Sequence, residues 1–239
     1  MSARAGVIVL VTGPQGAGKT TFCRRLVELA REGHTGVAAA GVLCPKVVEH
    51  DEETGIDVID VASGERRRLA VPNRGPGGHE GPATPRWRFD TTALEWADRL
   101  LGAATPCDLL VVDELGILEF EQGGGWANGV AAVDSRAFGA AFVVVRPRLL
   151  PIARSRWAGT HLVRIDRSET VEAVAVRAAA QVASLLPRSS ELQSDAVGVP
   201  ETEPRAVVGV DDATMGDAED RVPRGTIGRT RRRPSARPE

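Results

Sequence analysis

The sequence predicts an α/β fold in three layers, α/β/α, with a mainly parallel sheet extended by an antiparallel meander. Three observations carry that expectation. Short apolar runs, Val7–Val11, Val37–Leu43, Leu109–Val112 and Ala141–Val145, alternate with stretches of helical periodicity, as strands do in a parallel sheet covered on both faces. A glycine-rich turn, Gly13–Gly18, joins the first run directly to the first helical stretch. Between Cys44 and Val71 the pattern changes to short alternating segments broken by Thr54-Gly55 and Ser63-Gly64, the signature of hairpins.

The elements follow in order. From Lys19 to about Arg31, Phe22, Leu26, Val27, Leu29 and Ala30 recur at helical spacing, and Gly33 stops the helix. The meander is expected at Lys46–Glu49, Ile56–Val61 and Arg67–Val71. Prolines and glycines make a long loop of Pro72–Pro85, expected to move over the site. Asp90 or Thr91 caps a helix running to about Leu101, and Leu109–Val112 is a core strand. Helices at Ala127–Phe138 and Leu149–Trp157 alternate with strands at Ala141–Val145 and His161–Ile165, and Ser168 opens a last helix to about Leu186. The 239 residues, 42% hydrophobic and 26% charged, suffice for one globular domain at 1–187. Residues 188–239 have few large apolar side chains to offset ordering entropy and are expected to be a disordered tail.

The turn reads Gly13-Pro14-Gln15-Gly16-Ala17-Gly18-Lys19-Thr20, followed by Thr21. The spacing G-x-x-x-x-G-K-T between a strand and a helix is a P-loop: backbone N–H groups and the helix N-terminus surround phosphate oxygens. Lys19 supplies a compact positive charge and the Thr20 hydroxyl can bind Mg²⁺, so ATP or another nucleoside triphosphate is the expected ligand. Of the 30 basic residues only Lys19 and Lys46 are lysine, so lysine at the one position where an ammonium must fit beneath phosphates reflects chemistry. The second signal is Asp113-Glu114 after Leu109–Val112, expected at the carboxyl end of a core strand beside the P-loop strand. There Asp113 can orient Mg²⁺ through its water shell, and Glu114 can accept a proton from an attacking water.

Around these motifs the chain resembles the THEP-type nucleoside-triphosphatases, related to the cancer-associated human nucleoside-triphosphatase. The likeness is carried by Gly13–Thr21, by Gly41-Val42-Leu43 leading into Thr54–Asp60, by Ser63-Gly64-Glu65 with Leu69-Ala70, and above all by Asp113-Glu114-Leu115-Gly116-Ile117-Leu118-Glu119, similar to D-E-I-G-K-M-E. It covers residues 7 to about 186. The resemblance implies a P-loop NTPase fold, Mg²⁺-dependent hydrolysis of NTPs to NDP and phosphate, and broad base tolerance. One departure is Ile117, where the family commonly has a lysine. Arg146, Arg148, Arg154 and Arg156 follow the Ala141–Val145 strand, and Arg154 or Arg156 is expected to stand in as a lid arginine. Glu119 matches the signature without being assigned to the chemistry.

Other classes are less well served. A formal net charge of −2 argues against a dedicated nucleic-acid binder, although the basic run Arg229–Arg233 in the tail could bind nucleic acid or an acidic partner. No apolar run approaches the roughly 20 residues that span a bilayer, and the three scattered cysteines suit a reduced, cytoplasmic protein. His34, His50, His79 and His161 lack metal-ligand spacing. Trp87 and Phe89 suit core anchoring or stacking on a base, and Trp126 a loop or a hydrophobic plug. A P-loop kinase, or a nucleotide-gated binding protein with little turnover, are the alternatives to hydrolysis.

Overall fold

The computed structural model describes residues 6–33, 36–75, 81–121, 124–166 and 169–185. The expected tail at 188–239, with its domain boundary and Arg229–Arg233, lies outside them, as do His34 and His79. In chain order the elements are β1 (Val7–Thr12), α1 (Lys19–Gly33), β2 (Ala39–Leu43), β3 (Lys46–Glu49), β4 (Glu52–Asp60), β5 (Arg66–Pro72), β6 (Trp87–Phe89) and α2 (Thr91–Gly102). There follow β7 (Cys107–Leu115), α3 (Ile117–Glu121), α4 (Ala127–Ser135), β8 (Phe138–Val145), α5 (Leu150–Arg156), β9 (His161–Arg164) and α6 (Val171–Leu185).

Among the described residues the strands form one sheet in the order β6-β5-β4-β2-β7-β8-β1-β9, with β3 on β4. The pairs β2–β7, β7–β8, β8–β1 and β1–β9 are parallel. The β4, β5 and β6 additions are antiparallel, as is β3 on β4. This is the expected three-layer architecture, and the period of two along each strand builds its layers. Leu109 and Val111 of β7 face α1 and α6 with Phe22, Cys23, Leu26 and Ala175, whereas Leu110 and Val112 face α2, α4 and α5 with Trp96, Leu101, Val133 and Ala153.

The sheet order corrects one expectation. The strand that carries Asp113 is separated from the P-loop strand by β8, because both β7 and β1 pair with it. The long loop is described only at its ends. Pro72 on β5 and Trp87 on β6, which flank it, pair with each other at the antiparallel edge. That edge is at least five strand steps from β1, roughly 24 Å along the sheet, and the middle of the loop, 76–80, lies outside the described residues.

Smaller differences have local causes. Arg136 adopts the left-handed conformation, φ 50°, so α4 stops at Ser135 and β8 starts at Phe138, earlier than expected. Asp90 caps α2 by accepting from the Ala93 amide at 2.7 Å. The last helix starts at Val171, where the Thr170 hydroxyl accepts from the Ala173 amide at 3.3 Å. In the meander, Asp57 is buried against Arg68 at 2.7 Å, and Asp60 holds the Ser63-Gly64 turn through the Ala62 and Ser63 amides and the Ser63 hydroxyl. Trp87 and Trp126 are both buried in core positions.

Gly41 carries the tightest approach between β2 and β7. Its φ is +111°, and a Cβ there would lie 1.9 Å from the Val111 carbonyl oxygen. Gly41→Ala is therefore expected to cost at least about 3 kcal/mol in urea unfolding, because backbone rather than a flexible side chain would have to move. A loss below about 1 kcal/mol would show that β2 and β7 can separate without penalty.

Candidate active site at the carboxyl edge of the sheet

Parallel strands deliver their carboxyl ends to one edge, and β1 and β7 bring the two sequence motifs there. After Thr12 the chain turns through Gly13–Gly18 into α1, with Gly16 at φ +73° and Gly18 at φ +97°, conformations that turn successive amides inward. A Cβ on Gly18 would meet a Val171 methyl at 2.8 Å, so the loop is packed against the start of α6. Pro14, Gln15 and Gly16 are exposed at its crest, and Ala17 donates back to the Pro14 carbonyl at 3.2 Å. The first-turn amides of α1, including those of Lys19, Thr20 and Thr21, have no earlier helical carbonyl to bond. Lys19 Nζ donates to the carbonyls of Gly13 at 3.1 Å and Pro14 at 3.0 Å, which folds its ammonium over the loop.

Asp113 shares its face of β7 with Leu109 and Val111 and so points toward α1. It is 3% exposed and accepts from the Cys44 amide at 3.1 Å and from the Thr20 hydroxyl. A hydroxyl on α1 and a carboxylate on β7 thus meet although β8 separates their strands. Burial pushes the Asp113 carboxyl up to about 6, with the Cys44 and Thr20 hydrogen bonds and Lys19 opposing and the Glu114 charge adding to the rise. The same burial, with the Asp113 charge, raises the Cys23 and Cys44 thiols well above their ordinary range. Thr20 and Asp113 are hard oxygen donors, and among the described residues no group of three or more His, Cys, Asp or Glu could enclose a metal. Such a pair suits Mg²⁺, which takes its remaining ligands from phosphates and water.

Glu114 is half-buried and accepts from Arg146 Nε at 2.5 Å. Arg146 is the residue that sequence reasoning named among four arginines without selecting. Its signal is positional, since it follows Val145 at the end of the strand between the two motif strands. Arg156 is placed elsewhere: it is bound to Asp134 on α4 at 2.5 Å, beside the Trp157 indole that donates to the same carboxylate at 2.7 Å. Arg136, just ahead of β8, donates to the carbonyls of Gly6 before β1 at 3.2 Å and of Ala158, the residue after Trp157, at 3.0 Å. The reason is directional, because α5 runs back from the carboxyl edge and carries exposed Arg154 and then Arg156 about 10 Å along its axis. The structure does not bring either arginine to Lys19 and Glu114. Glu119 accepts from the Gly116 amide at 2.7 Å and the Trp126 amide at 3.0 Å, a clamp on the loop after β7.

A family model described as NTPase matches residues 8–124, the segment that holds both motifs. The nucleoside-triphosphatase THEP1 of Pyrobaculum calidifontis is 30% identical over 128 residues, covering 54% of this chain and 68% of that protein. The chain belongs to the THEP1 nucleoside-triphosphatase family. The THEP1 of Ignicoccus hospitalis is 34% identical over 111 residues, 46% of this chain, and the match spans 60% of that relative's length. The solution structure of a human cancer-related nucleoside triphosphatase shares the fold, with a TM-score of 0.55 at 22% identity, over 75% of this chain and 98% of that one. Within the family segment lie Lys19, Thr20, Asp113 and Glu114; Arg146 follows it.

Two outcomes follow from the site. Folded Asp113 holds its proton up to about pH 6, against 3.8 for the free group, so its favourable contribution is complete below about pH 4 and is lost as pH rises through 6. In Mg²⁺-free buffer Asp113→Asn is expected to match wild type near pH 4 and to be more stable by about 3 kcal/mol at pH 7, read by urea unfolding across pH. A difference independent of pH would contradict the burial of a charged carboxylate. Arg156→Ala is expected to leave nucleotide turnover unchanged and to cost less than about 1 kcal/mol, since the pair is part-exposed and Trp157 still serves Asp134. A large loss of turnover would return Arg156 to the site.

Proposed function

We propose that this chain is a Mg²⁺-dependent nucleoside-triphosphatase that converts NTP, ATP and GTP among others, to NDP and phosphate. The observation that carries the reading is the meeting of Lys19, Thr20 and Asp113, with Glu114 next in sequence at the same strand end. The loop amides and the N-terminus of α1 bind the phosphate chain, and Lys19 moves from the Gly13 and Pro14 carbonyls to the terminal phosphates. Thr20 would hold Mg²⁺ directly and Asp113 through its water shell, and the metal would neutralise the β- and γ-phosphate oxygens. Glu114 orients a water whose oxygen forms the new bond to the terminal phosphorus. The bond from that phosphorus to the bridging oxygen breaks, its electron pair leaves with NDP, and the water's proton passes to Glu114. The three free thiols, Cys23, Cys44 and Cys107, suit a reducing cytoplasmic setting, and no helix among the described residues is long and apolar enough to cross a membrane.

The kinase alternative drew on a lid loop at Pro72–Pro85 and on Arg154 and Arg156. Arg156 is held by Asp134 on α4 and the loop leaves and rejoins the sheet at its antiparallel edge, and that supports hydrolysis over transfer to an acceptor. Phosphate release from several NTPs with Mg²⁺ tests the reading on wild type, Lys19→Ala and Glu114→Gln. Each variant is expected to be slower by about 100-fold or more, and removal of Mg²⁺ to stop wild type. Equal rates in the three proteins would sink the mechanism. Acceptor-dependent loss of ATP without phosphate release would select the kinase, and nucleotide-dependent partner binding without turnover would select the gated binder.

A further inference from the structure

Arg146 stands where the two halves of the site can be joined. β8 lies between β1 and β7, with Val144 opposite Val11 on one side and Val145 opposite Leu115 on the other. The β1–β8 pairing ends at Val11 and Val144, so Arg146, two residues past Val144, leaves its strand at the same edge from which Gly13, two residues past Val11, opens the loop. On its other side its Nε donates to Glu114 Oε1 at 2.5 Å. That bond uses one edge of the guanidinium only. Among the described residues neither terminal nitrogen has a hydrogen-bond partner, and the side chain is 59% exposed.

Charge balance points the same way. The segment Asp113–Glu119 holds three carboxylates and no cation, and the loop itself supplies Lys19 alone. A nucleoside triphosphate would bring a further cluster of negative oxygens against Asp113 and Glu114. A planar guanidinium can satisfy both demands at once, because its donors diverge along two edges, which an ammonium cannot reproduce.

We propose that Arg146 is both the terminal-phosphate ligand and the positioning residue for Glu114. Nε keeps the Glu114 carboxylate at the strand end, and the free edge donates to an oxygen of the terminal phosphate. An NTP completes the chain from Glu114 through Arg146 to phosphate, whereas an NDP, lacking that group, leaves it open. Arg146 thus distinguishes substrate from product and ties the orientation of the base to the presence of the group to be cleaved. This assignment rests on the hydrolase reading for its catalytic half, while its NTP-over-NDP half can be measured without turnover.

The experiment uses the full chain with Mg²⁺. Affinities for a fluorescent non-hydrolysable NTP analogue and for the matching NDP are titrated in wild type, Arg146→Ala, Arg146→Lys, Glu114→Gln and the Arg146→Ala/Glu114→Gln double variant, beside single-turnover phosphate release. Arg146→Ala is expected to weaken the NTP analogue by about 10-fold or more, with NDP within about 2-fold, and to slow phosphate release by about 100-fold. Arg146→Lys should recover NTP affinity more than turnover, and added guanidinium ion should restore turnover to Arg146→Ala. The double variant should be little slower than the worse single one, because both act through one linked pair. Equal weakening of NTP and NDP, or an unchanged ratio, would overturn the proposal. NDP binding also reports folding, and Arg146→Gln carries the same expectation where the alanine variant does not fold. Wild type that releases no phosphate would end the hydrolase reading, yet loss of the NTP-over-NDP ratio in Arg146→Ala would still support the phosphate contact.

Discussion

The Asp113 carboxylate is buried where β7, α1 and the segment after β2 converge, and it is held by the Thr20 hydroxyl and the Cys44 amide. Much of the arrangement at the carboxyl edge depends on that placement. It sets the end of β7 against the first turn of α1 across the width of β8, and it brings an oxygen pair into the range of the P-loop lysine. The raised proton affinity of the group is the energetic mark of taking a carboxylate out of water with only partial compensation. A fold built for stability alone would place an apolar side chain there, as it does at Leu109 and Val111 on the same face.

β8 is the strand that makes this geometry possible. Its sequence, Phe138-Gly139-Ala140-Ala141-Phe142-Val143-Val144-Val145, is apolar throughout, as a central strand with helices on both faces must be. Phe142 packs on Phe22 of α1 with ring centroids 6.0 Å apart, fixing the helix that carries Lys19 and Thr20 relative to the sheet centre. The strand then ends in Arg146, so the element that separates the two motif strands also projects a cation between them.

Much of this was legible in the sequence, and what was not has an identifiable cause. Periodicity reports burial, so the apolar runs located β1, β2, β7 and β8, and the spacing around Phe22 and Leu26 located α1. Periodicity carries no information on which buried strand neighbours which, and the position of β8 between β1 and β7 was invisible for that reason. The placement of the arginines was hidden by the same gap. Arg154 and Arg156 lie on a helix that returns along the sheet, where Arg156 is held by Asp134, whereas Arg146 at the strand terminus meets Glu114. β6 was missed because three residues, Trp87–Phe89, are too few for an alternating pattern to declare itself. The P-loop and the Asp113-Glu114 pair were readable since each is contiguous in sequence, and their meeting at Thr20 is tertiary.

Glu119 closes the segment after β7 by gripping the Gly116 amide at one end and the Trp126 amide at the other. A loop fastened at its base in this way holds its shape through its own carboxylate rather than through the strand that precedes it. Exposed Leu118 and Glu121 on this segment can be exchanged while Glu119 keeps both grips and Phe120 its edge-on contact with Trp157. The clamp therefore gives this stretch of the chain room to diverge under evolution, and makes it a natural point at which related proteins acquire different surfaces around an unchanged centre.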